Sequence, residues 1–261
     1  MEITFYKYQG TGNDFIIIDN RVGIADALDN KQIKNLCDRK FGIGADGLML
    51  LNNKEGYDFE MIYYNADGKL GSMCGNGGRC MVMFAQHIGI RKNIYHFLAA
   101  DGEHEAEIEL DHTVRLKMQE VDTAQSFPTY AILNTGSPHY VKYSTGVRNM
   151  DVFKKGYEIR HSEPFEKEGI NVNFVENTGD YSIFVRTYER GVEDETLSCG
   201  TGVTASALMS AHNDHGYNNI KVQTPGGDLS VEFNKTGDNS FTDIRLCGPA
   251  ELVFKGTIHL Q

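Results

Sequence analysis

Cys74-Gly75-Asn76-Gly77 and Cys199-Gly200-Thr201-Gly202 stand 125 residues apart in a chain of 261. That interval is close to half the chain, and the surroundings repeat with it. Upstream lie YDFEMIYYN (Tyr57 to Asn65) and YSIFVRTYE (Tyr181 to Glu189), both with the aromatic and β-branched content of strands. Each stops nine or ten residues short of its cysteine. Earlier still, Gly12-Asn13-Asp14-Phe15 begins 62 residues before Cys74, and Gly136-Ser137-Pro138-His139 begins 63 residues before Cys199. Downstream, RCMVMFAQHIG and VTASALMSAHNDHG read as helical stretches broken at Gly89 and Gly216. Strand-turn segments follow, NIYHFLAADGEHEAEIEL and NIKVQTPGGDLSVEF, which align Asn93-Ile94 with Asn219-Ile220 and Asp101-Gly102 with Gly226-Gly227. Landmarks in one order at a near-constant offset are the mark of an internal duplication. The expectation is two similar α/β halves, 1–120 and 121–261, with the crossing point between Glu120 and Pro128.

A Cys-Gly-x-Gly at the start of a helix has a definite chemistry. The first turn of a helix presents backbone N–H groups without intrahelical partners and a partial positive charge. Glycines let a ligand approach that backbone without interference from a Cβ. The result is an anion cradle, and a cysteine placed there has its thiolate stabilised. Two such elements, facing one cleft, would hold a carboxylate with two sets of donors and flank its α-carbon with two thiols. One thiolate would remove the α-proton while the opposite thiol returned one. Fixed donors on the carboxylate would stabilise the charge that develops as the proton leaves, and two proton carriers titrating near the working pH would do the rest. No pyridoxal phosphate is called for, and no cofactor or metal is expected.

The bulk properties narrow the partners. Apolar residues make up 40% and charged residues 23%, the balance of a folded globular protein with a sizeable core. A formal charge of -11 without a basic stripe argues against nucleic acid and anionic membranes. No apolar run is long enough to span a bilayer, and MEITFYKYQG has no secretory-signal pattern. Five cysteines (37, 74, 80, 199 and 247) in a chain this long do not form a disulfide framework, so a cytoplasmic location is expected. Cys37 and Cys247 read as core residues. The spacing of Cys74 and Cys80 does not match a zinc site.

The segments YQGTGNDFIIID, DRKFGIGADG, NADGKLGSMCGNGGRC, INVNF, YERGVEDETLSCGTG and FKGTIHL, in order over nearly the whole chain, resemble the diaminopimelate epimerase family. The resemblance implies an α+β fold of two pseudo-symmetric domains, each a curved β-sheet or barrel wrapped around a central helix, with the site between them. It implies cofactor-independent epimerisation of LL-2,6-diaminopimelate to the meso isomer, in lysine and peptidoglycan-precursor biosynthesis. Cys74 and Cys199 match the family's catalytic pair. His139 and Glu189 match positions that assist the thiols. Asn13, Asn65, Gly75, Asn76, Asn171, Glu189, Arg190, Gly200 and Thr201 match positions that bind the diamino-dicarboxylate substrate. Arg190 offers a guanidinium fork for a distal carboxylate. Family members commonly form homodimers, and Phe254 stands where a tyrosine often serves that contact.

The chain departs from the family pattern at Gly47, where glutamine is common, and at Ser137, where asparagine is common. The first loses a polar side chain near the cleft; the second keeps a hydroxyl. The acidic run Glu193-Asp194-Glu195 reads as a solvated loop. The nearest rivals are a proline-type racemase, which acts on one-ended substrates, and an isomerase of the phenazine-biosynthesis type, which lacks the cysteine pair. A redox sensor closing a disulfide between the two thiols is the rival from another class.

Overall fold

In the computed structural model, residues 2–259 are described. They form two compact units. The first runs to Leu116 and takes up the chain again from Pro249; the second is Lys117–Gly248. The first unit holds β1 (Glu2–Gly10), β2 (Asn13–Asp19), α1 (Asn30–Cys37), β3 (Gly47–Asn52), β4 (Phe59–Asn65), α2 (Gly75–His87), β5 (Ile94–Ala99), β6 (Gly102–Ile108) and β7 (Val114–Lys117). The second holds β8 (Gln125–Ser126), β9 (Ala131–Asn134), β10 (Pro138–Tyr143), α3 (Val152–Arg160), β11 (Asn171–Gly179), β12 (Ser182–Glu189), β13 (Asp194–Thr196), α4 (Gly200–Met209), β14 (Gly216–Thr224), β15 (Gly227–Gly237) and β16 (Ser240–Gly248). The last strand, β17 (Glu251–His259), pairs antiparallel along β1.

The two units share one topology. β2 pairs parallel with β3, β3 antiparallel with β4, and β4 parallel with β5. In the second unit β10, β11, β12 and β14 repeat that sequence of parallel, antiparallel and parallel pairings. Antiparallel pairs complete both, β5–β6–β7 in one and β14–β15–β16 in the other. α1 and α3 occupy the same place in the order, as do α2 and α4. An asymmetry concerns the chain's end. The half 121–261 expected from sequence includes β17, but eight registered residue pairs with β1 hold that strand in the first unit.

In each unit the sheet lies between two helices. β2 and β3 read FIIID and GLMLL because both of their faces are buried. Ile16, Ile18, Leu48 and Leu50 pack with Ile33, Leu36 and Cys37 of α1. The alternate face, including Phe15, Met49 and Met61, comes against Gly77 of α2. α2 touches β1, β2, β3, β6 and β17, so the sheet curves around it, and α4 sits likewise among β9–β12 and β14–β16. α4 is buried on all sides except at Thr201 and Met209, as a helix without a polar face must be. Its buried hydroxyls are satisfied within the helix. Thr204 Oγ1 donates to the Gly200 carbonyl at 2.9 Å, and Ser206 Oγ to that of Gly202 at 2.7 Å.

Boundaries follow local chemistry. α2 ends at His87 ahead of Gly89, which takes φ 96°. α4 stops at Met209, earlier than its apolar run implies. The Asn218 side chain accepts from the backbone N–H groups of His212 and Asn213 at 3.0 and 2.9 Å and turns the chain there. α1 has only eight residues and depends on its capping box. Asp29 Oδ1 accepts from the Gln32 N–H at 2.7 Å, and Gln32 Oε1 accepts from the Asp29 N–H at 3.0 Å. Asp29→Ala is expected to lower stability by about 1 kcal/mol, read as a lower urea midpoint at an unchanged denaturant slope.

Candidate active site

Each central helix begins on a cysteine. Cys74 is the N-cap of α2 with φ -111° and ψ 127°; Cys199 is the N-cap of α4 with φ -111° and ψ 110°. Both take the extended conformation of an N-cap, yet neither side chain caps its helix. The caps are made by backbone alone, Gly78 N–H to the Cys74 carbonyl at 2.7 Å and Val203 N–H to the Cys199 carbonyl at 2.8 Å. Cys74 is half-buried and Cys199 buried.

Around Cys74 the partners are polar. Its Sγ lies 3.5 Å from Asn13 Oδ1, and Asn76 Nδ2 donates to the same oxygen at 3.4 Å. Asn13 cannot flip freely, because its Nδ2 donates to Asp46 Oδ2 at 2.6 Å. Asp46 in turn accepts from Arg39 at 2.7 Å. Asp14 carries the rest of this cluster, with two bonds from Arg39 at 2.9 and 2.6 Å and a buried ion pair to Lys7 at 2.7 Å. Lys7 also donates to the Gly44 carbonyl. Burial alone would raise the Asp14 carboxyl, but the hydrogen bonds and charges of Arg39 and Lys7 outweigh it and hold it at about 2. With a folded value below the unfolded one near ~4, Asp14 stabilises the fold at neutral pH, and that contribution is lost as pH falls from about 4 toward 2. Asp14→Asn is expected to be less stable than the parent at pH 7 and to converge with it over that window. A gap in unfolding free energy that stays constant from pH 6 to pH 2.5 would contradict this.

Behind the helix end lies Arg79, fully buried. Its guanidinium reaches the Gly75 carbonyl at 3.4 Å, Thr11 Oγ1 at 3.2 Å and the Pro249 carbonyl at 3.4 Å. It ties the turn before β2 and the start of the last segment to the first turn of α2. Cys80 is buried beside it, and desolvation pushes its thiol up to about 12. Burial also raises Cys37, to about 11. Cys247 is buried as well.

The second cradle is built alike from different residues. Cys199 Sγ lies 3.5 Å from Thr201 Oγ1, and Thr135 Oγ1 donates to the Thr201 carbonyl at 2.8 Å. Gly12 (φ 83°) and Gly136 (φ 106°) both occupy the left-handed region at the turn preceding β2 or β10. His139 is fully buried against Gly202. Its Nδ1 is 3.1 Å from Asn173 Nδ2, a donor only, so Nδ1 accepts and the proton sits on Nε2. Burial, with Arg190 adding to it, lowers His139 to about 3, against which the Asn173 bond acts weakly. His139 is therefore a neutral imidazole at physiological pH.

The remaining sequence-predicted residues fall into two groups. Asn65 and Arg190 are exposed and Glu189 half-buried, at the ends of β4 and β12. Glu189 Oε2 accepts from Thr196 at 2.9 Å, and Arg190 Nη1 donates to the Glu168 carbonyl at 2.9 Å. Asn171, by contrast, is buried, and its amide serves the fold. It donates to Ser137 Oγ at 2.8 Å and the Pro138 carbonyl at 3.0 Å, and accepts from the Arg190 N–H at 2.9 Å. Ser137 thus keeps a bond despite being shorter than the family's usual residue. The acidic run is not a free loop. Glu195 forms a two-bond pair with Arg186 at 2.6 Å, and Glu193 accepts from Tyr188 and Gly191 at 3.1 Å. Phe254, on β17, packs edge-on to Phe5 at 5.9 Å.

Sequence reasoning passed over Asp46, Arg79 and Asn173. All three sit inside quoted motifs; for Asp46 in GIGADG and Arg79 in CGNGGRC a charged residue beside glycines was the available signal. Asn173, two residues after Asn171, shares its face of β11.

The fold is shared with solved structures of low identity. A Bacillus anthracis phenazine biosynthesis protein of the PhzF family superposes with a TM-score of 0.73 at 14% identity, covering 100% of both chains. A hydroxyproline epimerase from Agrobacterium vitis gives 0.69 at 12% identity, over 99% of this chain and 93% of that one. Sequence comparison is more specific. The family model described as diaminopimelate epimerase matches residues 5–124 and 131–253. A diaminopimelate epimerase of Flavobacterium psychrophilum is 51% identical over 97% of this chain and 99% of its own length. One from Chlorobaculum tepidum is 45% identical over 96% and 99%. The chain belongs to the diaminopimelate epimerase family.

Proposed function

We propose that the protein converts LL-2,6-diaminopimelate to the meso isomer with Cys74 and Cys199 as paired acid and base, without pyridoxal phosphate. The observation that carries the reading is the matched pair of cysteines, each an N-cap with the same φ on a buried central helix that it does not itself cap. The helix end favours the thiolate over the thiol. Gly75-Asn76 and Gly200-Thr201 supply backbone N–H groups for the reacting carboxylate, where each well-aimed donor lowers the barrier by about 3 kcal/mol as enediolate charge builds up. The two thiols exchange roles with the direction of reaction: the thiolate that takes the α-proton becomes the acid of the reverse reaction.

Asn13 and Asn76 border the Cys74 thiol, Asn65, Glu189 and Arg190 take the far end of the substrate, and Asn171 holds the Arg190 backbone. His139, whose basicity is lowered by burial, assists through hydrogen bonding rather than as a base. Each unit supplies one half of the epimerase. The reaction belongs to lysine and peptidoglycan-precursor synthesis in the cytoplasm, and two copies associate through the exposed β17 face around Phe254.

The test is α-proton exchange. The reduced protein is incubated with LL-diaminopimelate in heavy water and followed by proton NMR. Loss of the α-proton signal with appearance of the meso isomer is expected; no exchange would sink the assignment. Proline and hydroxyproline as alternative substrates should exchange far more slowly.

A further inference from the structure

Along β4 the side chains of Phe59, Met61, Tyr63 and Asn65 alternate onto one face. Met61 meets the first turn of α2 at Gly77, so this is the face turned to the central helix. Tyr63 is the next residue along it, toward the end of the strand where Asn65 stands. Its ring packs edge-on to Phe15 at 6.0 Å and is half-buried.

Two glycines from separate segments close on that ring. A Cβ on Gly47 would lie 2.4 Å from Tyr63 Cε2 and 2.9 Å from its hydroxyl. A Cβ on Gly71 would lie 2.7 and 2.8 Å from Cδ1 and Cε1, and 3.0 Å from Asn65 Oδ1. Neither glycine is among those with positive φ. At 71 the Tyr63 ring crowds out a side chain; at 47 the ring does so together with the Tyr64 backbone carbonyl, 2.6 Å from the Cβ position. Gly47 directly follows Asp46, which orients Asn13, and it is registered beside Phe15 and Asn65. The phenol therefore occupies the volume that a side chain at 47 would fill, one residue from Asp46.

We propose that the Tyr63 hydroxyl is a substrate-contacting, specificity-setting group, donating to the polar end of the substrate remote from the reacting carbon in place of a side chain at position 47. This rests on the epimerase reading above. The reacting carboxylate is drawn to the helix N-terminus, and Tyr63 with Asn65 forms the adjoining wall, on the strand side.

Tyr63→Phe keeps the ring and its packing and removes only the donor. Its KM for LL-diaminopimelate is expected to rise about 10- to 30-fold, the effect of one hydrogen bond to a charged acceptor, with kcat and the melting temperature little changed. Gly47→Gln should impair the enzyme through collision with the ring and with the Tyr64 carbonyl. Exchange by the parent enzyme with an unchanged KM in Tyr63→Phe would overturn this proposal alone. So would a fall in melting temperature without a change in KM. No exchange by the parent would overturn the epimerase reading and this one with it.

Discussion

Replacing either Cys74 or Cys199 by serine is expected to abolish formation of the meso isomer within detection, a loss of about 10³-fold or more, since a positioned acid or base contributes ~10²–10⁴-fold. The hydroxyl is close to the thiol in size, so folding should be preserved. What changes is acidity. The partial positive charge at the first turn of a helix favours a thiolate, whereas it leaves a serine hydroxyl protonated. Neither serine is capable of being the base, and each is a poorer acid than the thiol. On the proposed mechanism the two groups act on one carbon, so the double variant should be scarcely worse than either single one, the non-additivity of residues that work as a unit. Losses that multiply, or a serine variant retaining a tenth of the activity, would refute a two-thiol mechanism. Alkylation of Cys80, Cys37 or Cys247 should be slow by comparison, because all three are buried and burial raises the first two.

Gly202→Ala is expected to lose about 2–4 kcal/mol of stability, from overpacking together with an unpaired buried polar group. The first atom that the new methyl meets is Asn173 Oδ1, 2.3 Å from the Cβ position, with His139 Cε1 at 3.3 Å. Asn173 is fully buried and has no freedom to withdraw. Its Nδ2 donates to His139 and to the Tyr140 carbonyl, both at 3.1 Å, and its Oδ1 accepts from Thr187 at 2.9 Å. Either this network breaks or the first turn of α4 is displaced outward. Displacement moves Cys199 and its cradle together, and ~1 Å of misplacement costs on the order of 10²-fold in rate. A thermal melt and the exchange assay on the same preparation check both parts. An alanine variant that melts with the parent would show that α4 does not depend on this close approach.

The duplication, the two cysteines and the helices that follow them were legible because they rest on short-range rules. A glycine at a left-handed turn, an N-cap in extended conformation and an apolar run buried on both faces each leave a local signature, and each appears twice at one offset. The strand character of β4 was equally readable. These features determine the family, the order of elements and the place of the two cysteines. Tertiary structure decided what local rules do not encode, namely which side chains meet across the sheet. Asn13 and Asp46 are 33 residues apart in sequence and become partners because β2 and β3 are parallel neighbours. Asn171 reads as a ligand-binding amide but spends its bonds on Ser137, Pro138 and Arg190, because it is enclosed beside β10. Gly47 looks in sequence like a lost polar group, and only packing reveals the Tyr63 ring against it. The C-terminal strand joins the first unit because β1 offers it a hydrogen-bonding edge, and such pairing depends on the strands being brought together in space, whatever their separation along the chain.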